Sequence, residues 1–122
     1  MPKPKVSIAP LEQGKMLYEN VYIISGQLSK KAADDYYEDL IKKIKDNGGK
    51  VLKTEFWGLR DLAYKIKKNS KGYYYMINCE CDAKLFKDFD IKVKQDINFL
   101  RFFNIKIKEI IKEQSLLVEQ KT

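Results

Sequence analysis

Residues 55–75, EFWGLRDLAYKIKKNSKGYYY, alternate between apolar and polar side chains, break at a lysine-rich polar stretch, and resume on three consecutive tyrosines. Period-two patterning on both sides of a break marks two antiparallel strands joined by a turn. The first limb, VLKTEFWGLRDLAYKI (51–66), is too long for one flat strand. Gly58 is therefore expected at a bulge or a close backbone approach. Asn69-Ser70-Lys71-Gly72 is the expected turn, and YYYMINCEC (73–81) the returning strand.

Outward from this hairpin the periods change. LYENVYIIS (17–25), rich in Val, Ile and Tyr, reads as a strand. Ser29 suits a helix N-cap, with Leu28 and Ala33 spaced for a hydrophobic staple. Ala33, Tyr37, Leu40, Ile41 and Ile44 then share one helical face, and Asn47-Gly48-Gly49 stops the helix. Beyond the hairpin, Asp82 is expected to cap a second helix carrying Leu85, Phe86, Phe89 and Val93 on one face. FLRFFNIKI (99–107) is the final strand. The order β-α-β-β-α-β predicts an α+β fold, a ferredoxin-like sandwich in which a four-stranded antiparallel sheet carries both helices on one face.

That domain spans residues 16–108. Residues 1–15 hold all three prolines and read as an extended, mobile basic arm, with Met16 a second plausible start. Residues 109–122 are a tail, either a short helix or frayed beyond about residue 112.

Two helices cannot cover both sides of a sheet, and the strands do not alternate cleanly. Tyr18, Tyr22 and Ile24 oppose Val21 and Ile23. Tyr73, Tyr75, Ile77 and Cys79 oppose Tyr74 and Met76, and Phe102 opposes Phe99, Phe103, Ile105 and Ile107. The apolar remainder on the open face calls for a partner. On the same alternation Asn20 and Asn104 both point toward the helices, from neighbouring strands. They are expected to bond to each other or to a water, because buried amides need partners.

The formal charge is +7, from 24 Lys+Arg against 17 Asp+Glu. It suits either plain solubility or a polyanionic partner, since lysine and arginine gain affinity by releasing counterions from phosphates. The hairpin lysines Lys67, Lys68 and Lys71 have no close acidic neighbour in sequence. The chain contains no histidine, which removes Ser-His-Asp and Cys-His catalysis and histidine metal sites. Cys79 and Cys81 share one strand face; two thiols alone do not complete a zinc site, and buried, reduced thiols of an intracellular protein are expected. No apolar run approaches the roughly 20 residues that span a bilayer. No cofactor and no small-molecule substrate are expected.

Several motifs resemble the bacterial small-subunit ribosomal protein S-six family. They are WGLRDLAYKI (57–66), the Lys71–Tyr75 opening of the third strand, Tyr18-Glu19 at the head of the first strand, and Leu100-Arg101 entering the last. The likeness covers about Met16 to Lys108. It implies a non-enzymatic structural constituent of the small subunit, in a bacterial cytoplasm or an organelle. Such a protein would bind the central domain of small-subunit rRNA together with ribosomal protein S-eighteen during platform assembly. On this chain the implied RNA-binding positions are Tyr18, Arg60, Lys65, Lys67, Lys68, Lys71 and Arg101. Asp61 departs from the basic or polar residue many relatives carry. The partner-protein face is assigned to Trp57, Leu62, Tyr64, Tyr74 and Met76.

Two other classes share the layout. An acylphosphatase-type enzyme would pair Arg60 or Arg101 with Asn98 or Asn104, but SGQLS (25–29) is not a glycine-rich phosphate loop. An autonomous single-strand RNA module would stack bases on the sheet; Lys71–Tyr75 only brushes its basic-glycine-aromatic signature.

Overall fold

Tyr22, Phe89 and Phe99, all fully buried, meet edge-to-face with ring centroids 5.8 and 6.1 Å from Tyr22, and the rest of the fold is built around that contact. The computed structural model describes residues 5–6 and 14–111. Its elements are β1 (Lys5–Val6), β2 (Met16–Ser25), α1 (Lys30–Asp46), β3 (Lys50–Ile66), β4 (Asn69–Cys81), α2 (Leu85–Gln95), β5 (Phe99–Ile107) and β6 (Ile110–Ile111). The main sheet is antiparallel with order β3-β4-β2-β5. Around it the order is the expected β-α-β-β-α-β. A separate two-residue ribbon pairs β1 with β6. Lys5 and Val6 fall in the stretch expected as an arm; residues 1–4, 7–13 and 112–122, which carry the remaining arm and tail expectations, lie outside the described residues.

Local chemistry explains the helices. Ser29 caps α1 as expected, its hydroxyl accepting from the Ala32 N–H at 3.2 Å. Ala33, Leu40 and Ile44 are buried, with Leu28, Tyr37 and Ile41 packed beside them. Asn47 ends the helix, its backbone N–H and its side-chain amide both donating to the Lys43 carbonyl. Helix α2 differs from expectation. It starts at Leu85 behind Lys84, and Asp82 caps only the preceding turn, accepting from the Lys84 N–H at 2.9 Å. Of the expected face, Leu85, Phe86 and Phe89 are buried and Val93 packs beside them, partly buried.

Helix-facing residues of the strands are Tyr22 and Ile24 on β2 and Tyr75, Ile77, Cys79 and Cys81 on β4. Burying a large side chain here contributes roughly 2–3 kcal/mol. Phe102 stacks on Tyr22 at 5.2 Å as the shared face requires. Phe99 does not lie opposite Phe102 as the alternation suggested. The ladder slips between Ile23 and Ile24, one extra residue (Leu100) is accommodated, and Phe99 turns into the helix-side core. A bulge reverses the face of every residue before it.

Asn20 and Asn104 are directly opposed, but they are not each other's partners. Asn20 is fully buried and donates to the Ile77 carbonyl at 3.1 Å and to Cys79 Sγ at 3.2 Å, whereas Asn104 is exposed. The central strand β4 offers an acceptor inside the core, and the edge position of β5 lets Asn104 stay in solvent.

Gly58 sits at the expected bulge, with φ +93° where the register shifts between Phe56 and Gly58. The turn lies two residues earlier than expected, at Lys67-Lys68, both left-handed with φ +48° and +66°. Asn69 already belongs to β4; its amide donates to the Ile66 and Lys67 carbonyls and its oxygen accepts from the Ser25 hydroxyl at 2.6 Å. These bonds make Asn69 a clamp behind the turn. The hairpin overhangs the ten-residue β2 and curls back over the sheet's open face. A Cβ on Gly72 would lie 2.5 Å from Ile23 Cγ2 and 3.6 Å from Leu62 Cδ2, so this crossing needs glycine.

Candidate nucleic-acid and partner interface

The curled hairpin decides where the basic residues stand. At its tip Lys67 extends its ammonium to the far strand and donates to the Val93, Asp96 (3.0 Å) and Phe99 (2.9 Å) carbonyls. Lys67 therefore closes the C-terminal end of α2, satisfying carbonyls that a helix end leaves open. Partial burial pushes its pKa below the usual lysine value. This lysine, expected to touch RNA, has all its donors committed within the fold.

Its neighbours remain outward. Lys65, Lys68 and Lys71 are exposed. Lys71 has a loose, well-exposed pairing with Asp61 at 4.0 Å, and no ion pair engages Lys65 or Lys68 among the described residues. Gln27, just ahead of α1, donates to the Lys68 carbonyl at 3.1 Å, and Gly26 N–H to the Lys71 carbonyl at 3.0 Å. The tip is thereby fixed against the amino end of α1. On the other side, Arg101 of β5 donates to the Tyr64 hydroxyl at 3.4 Å. Lys65, Lys68, Lys71 and Arg101 thus share one end of the molecule. Arg60 is half-buried and spends its Nε–H on the Trp57 carbonyl at 2.7 Å.

Tyr18 stands apart from this group. It pairs with Cys79 and Lys106 at the opposite end of the sheet and sets its ring edge-on to Phe86 at 4.7 Å. Burial and nearby acidic groups raise its hydroxyl pKa.

Of the residues assigned to a partner face, Tyr64 is exposed, and Trp57, Leu62 and Tyr74 are half-buried. Trp57 donates its indole N–H to Glu55 at 2.9 Å. Met76 is only 2% exposed, flanked in the ladder by Val21 and Glu55, and has almost no surface to offer. Phe103 and Ile105, outside that assignment, are 55% and 58% exposed on the same face. With Glu19 and Val21 they line a shallow apolar notch of about 90 Å³. The signal was present in FLRFFNIKI: Phe103, Ile105 and Ile107 share a period-two face on an edge strand.

The residues an acylphosphatase-type site would need are not assembled. Asn98 bonds Tyr36 and the Asp96 turn, Asn104 lies mid-strand in solvent, and the two arginines serve Trp57 and Tyr64. Among the described residues no group of three or more His, Cys, Asp or Glu is placed to hold a metal, and no helix is long and apolar enough to cross a membrane.

These features define the class, a ferredoxin-like sandwich with a cationic end and an apolar open edge. Comparison with known proteins narrows that class. A family profile described as ribosomal protein S6 matches residues 17–106. The small ribosomal subunit protein bS6 of Rickettsia prowazekii is 38% identical over 105 residues, covering 86% of this chain and 87% of the relative. That of Rickettsia bellii is 35% identical over the same length. The crystal structure of 30S ribosomal protein S6 from Thermotoga maritima superposes with a TM-score of 0.68 at 26% identity, covering 76% of this chain and 88% of that one. The chain belongs to the ribosomal protein S6 family, whose members are structural, non-enzymatic constituents of the small ribosomal subunit.

Proposed function

We propose that this chain binds the central domain of small-subunit rRNA jointly with ribosomal protein S-eighteen and so helps build the platform of a bacterial-type small subunit. The observation that carries the reading is the hairpin tip. Two lysines occupy a left-handed turn where Asn-Gly would be unstrained, and of the two only Lys67 has its side chain engaged within the fold. Strain kept at an exposed basic residue fits a ligand contact. Lys65, Lys68, Lys71 and Arg101 supply phosphate contacts that fix register, with Arg60 at their margin, while Lys67 holds the tip in place. The partner protein packs on Trp57, Leu62, Tyr64 and Tyr74, and the exposed Phe103 and Ile105 extend that surface.

The single-strand RNA reading is less well supported, because Tyr73 and Tyr75 face the helices and only Tyr74 of the tyrosine run lies toward the open face. The test is a titration of a central-domain rRNA fragment with this chain, with and without the partner, across a salt series. Binding should strengthen with the partner and weaken steeply with salt, and the triple change Lys65→Ala, Lys68→Ala, Lys71→Ala should flatten the salt slope by about two to three units. Absence of both the partner-dependent gain and the salt dependence would sink the reading.

A further inference from the structure

Cys79 and Cys81 have no place in the docking role, yet they form a defined pair. Two residues apart on the central strand β4, they point the same way and hold their sulfurs 3.7 Å apart. We propose that they form a two-thiolate site for one soft monovalent cation of the Cu(I) class. This inference is independent of the rRNA reading.

The separation decides what the pair can do. A disulfide needs about 2.05 Å between sulfurs, with Cβ atoms about 3.5–4.5 Å apart. Closing that gap would pucker a strand laddered on both sides, with Cys79 paired to Tyr18 and Val51, and Cys81 to Met16. A bridging ion asks for the opposite, a small widening of the pair, because two sulfur–metal bonds in line span more than 3.7 Å. Zinc wants four ligands, and no third donor is placed with the pair among the described residues. Thiolates select soft ions, and Cu(I) is the one of these that two sulfurs can satisfy.

The surroundings suit a bound thiolate. The buried Asn20 amide donates to Cys79 Sγ at 3.2 Å while bonding the Ile77 carbonyl, which fixes its orientation as a supporting hydrogen-bond donor would be fixed. Cys81 lines a depression of about 260 Å³, with Asn47, Asp82, Lys84, Leu85 and Asp88 as its other walls. Binding replaces two S–H bonds by two sulfur–metal bonds and releases two protons to solvent, with no electron transferred.

The experiment is an anaerobic competition for Cu(I) between the full chain and a chromogenic chelator. The chain should withdraw one equivalent and develop an ultraviolet thiolate-to-metal absorption band. Cys79→Ser and Cys81→Ser, each checked for folding by circular dichroism, should lose affinity at least about 100-fold, and Asn20→Ser about ten-fold. Should a variant fail to fold, the unaltered chain decides: one equivalent should raise its melting temperature and a second should not. No retained equivalent, no melting shift, or retention unchanged in a folded serine variant overturns the site.

Discussion

Lys67 is where residue type and residue role part company. In sequence it is one of several lysines beside a turn, and its charge suggests phosphate. In the fold its ammonium binds three carbonyls, two at the end of α2 and one at the start of β5. Nothing local encodes that, because its partners lie 26 to 32 residues away and meet it only after the hairpin curls. Removing the donor leaves half-buried carbonyls unsatisfied, so Lys67→Met should cost about 2 kcal/mol. Equilibrium urea unfolding measures this. At the same time Lys67→Met should lower rRNA affinity far less than Lys68→Ala, provided binding is measured where both variants are folded. Asn20 teaches a similar lesson: its burial was legible from alternation, but its bond to Cys79 depended on which neighbouring strand held an acceptor.

At the scale of elements, legibility followed the locality of the cause. Ser29, the α1 face, the α2 core face and the Gly58 bulge are set by neighbours within a turn or two, and each was readable. The hairpin tip was not. Asn-Ser-Lys-Gly has favourable turn chemistry, but Asn69 is drawn into β4 by its bond with Ser25, 44 residues distant. The turn is pushed onto two lysines that pay for left-handed φ with strain. The β5 bulge was hidden for the same reason, since it is set by the slip against β2. Lys68 has no side-chain partner among the described residues, so its strain can be tested cleanly. Lys68→Gly should stabilise the folded chain by about 1 kcal/mol, raising the unfolding midpoint without changing its slope. The same change should weaken rRNA binding. A destabilised Lys68→Gly would show that the left-handed geometry is not strained.

At the scale of the whole molecule, the sandwich keeps several tyrosine hydroxyls out of water, and that ties stability to alkaline pH. Burial holds Tyr37 protonated, pushing it from its ordinary 10.0 up to about 12. Tyr22 and Tyr75 shift the same way, Tyr22 from burial and Tyr75 from burial and its bond to Asp34. Below about pH 10 the folded and unfolded chains both keep these protons, and the stabilisation is fully present. As pH rises through 10 toward 12 the unfolded chain loses protons first, so the folded state holds more of them and stability falls. Tyr37 alone should account for about 2–3 kcal/mol of that fall. Other groups also ionise at alkaline pH, so the total decline is not the discriminating quantity. The difference between the parent chain and Tyr37→Phe is. The Tyr37 hydroxyl is buried and makes no hydrogen bond of good geometry, with the Thr54 side chain only loosely beside it, so its removal should change stability at pH 7 by less than about 1 kcal/mol. The two unfolding free energies should then diverge above pH 10, with the phenylalanine variant falling less steeply. Parallel curves across that range would mean that Tyr37 ionises as readily folded as unfolded, and that its ring lies in wetter surroundings than the stacked contact with Tyr75, at 4.5 Å, describes.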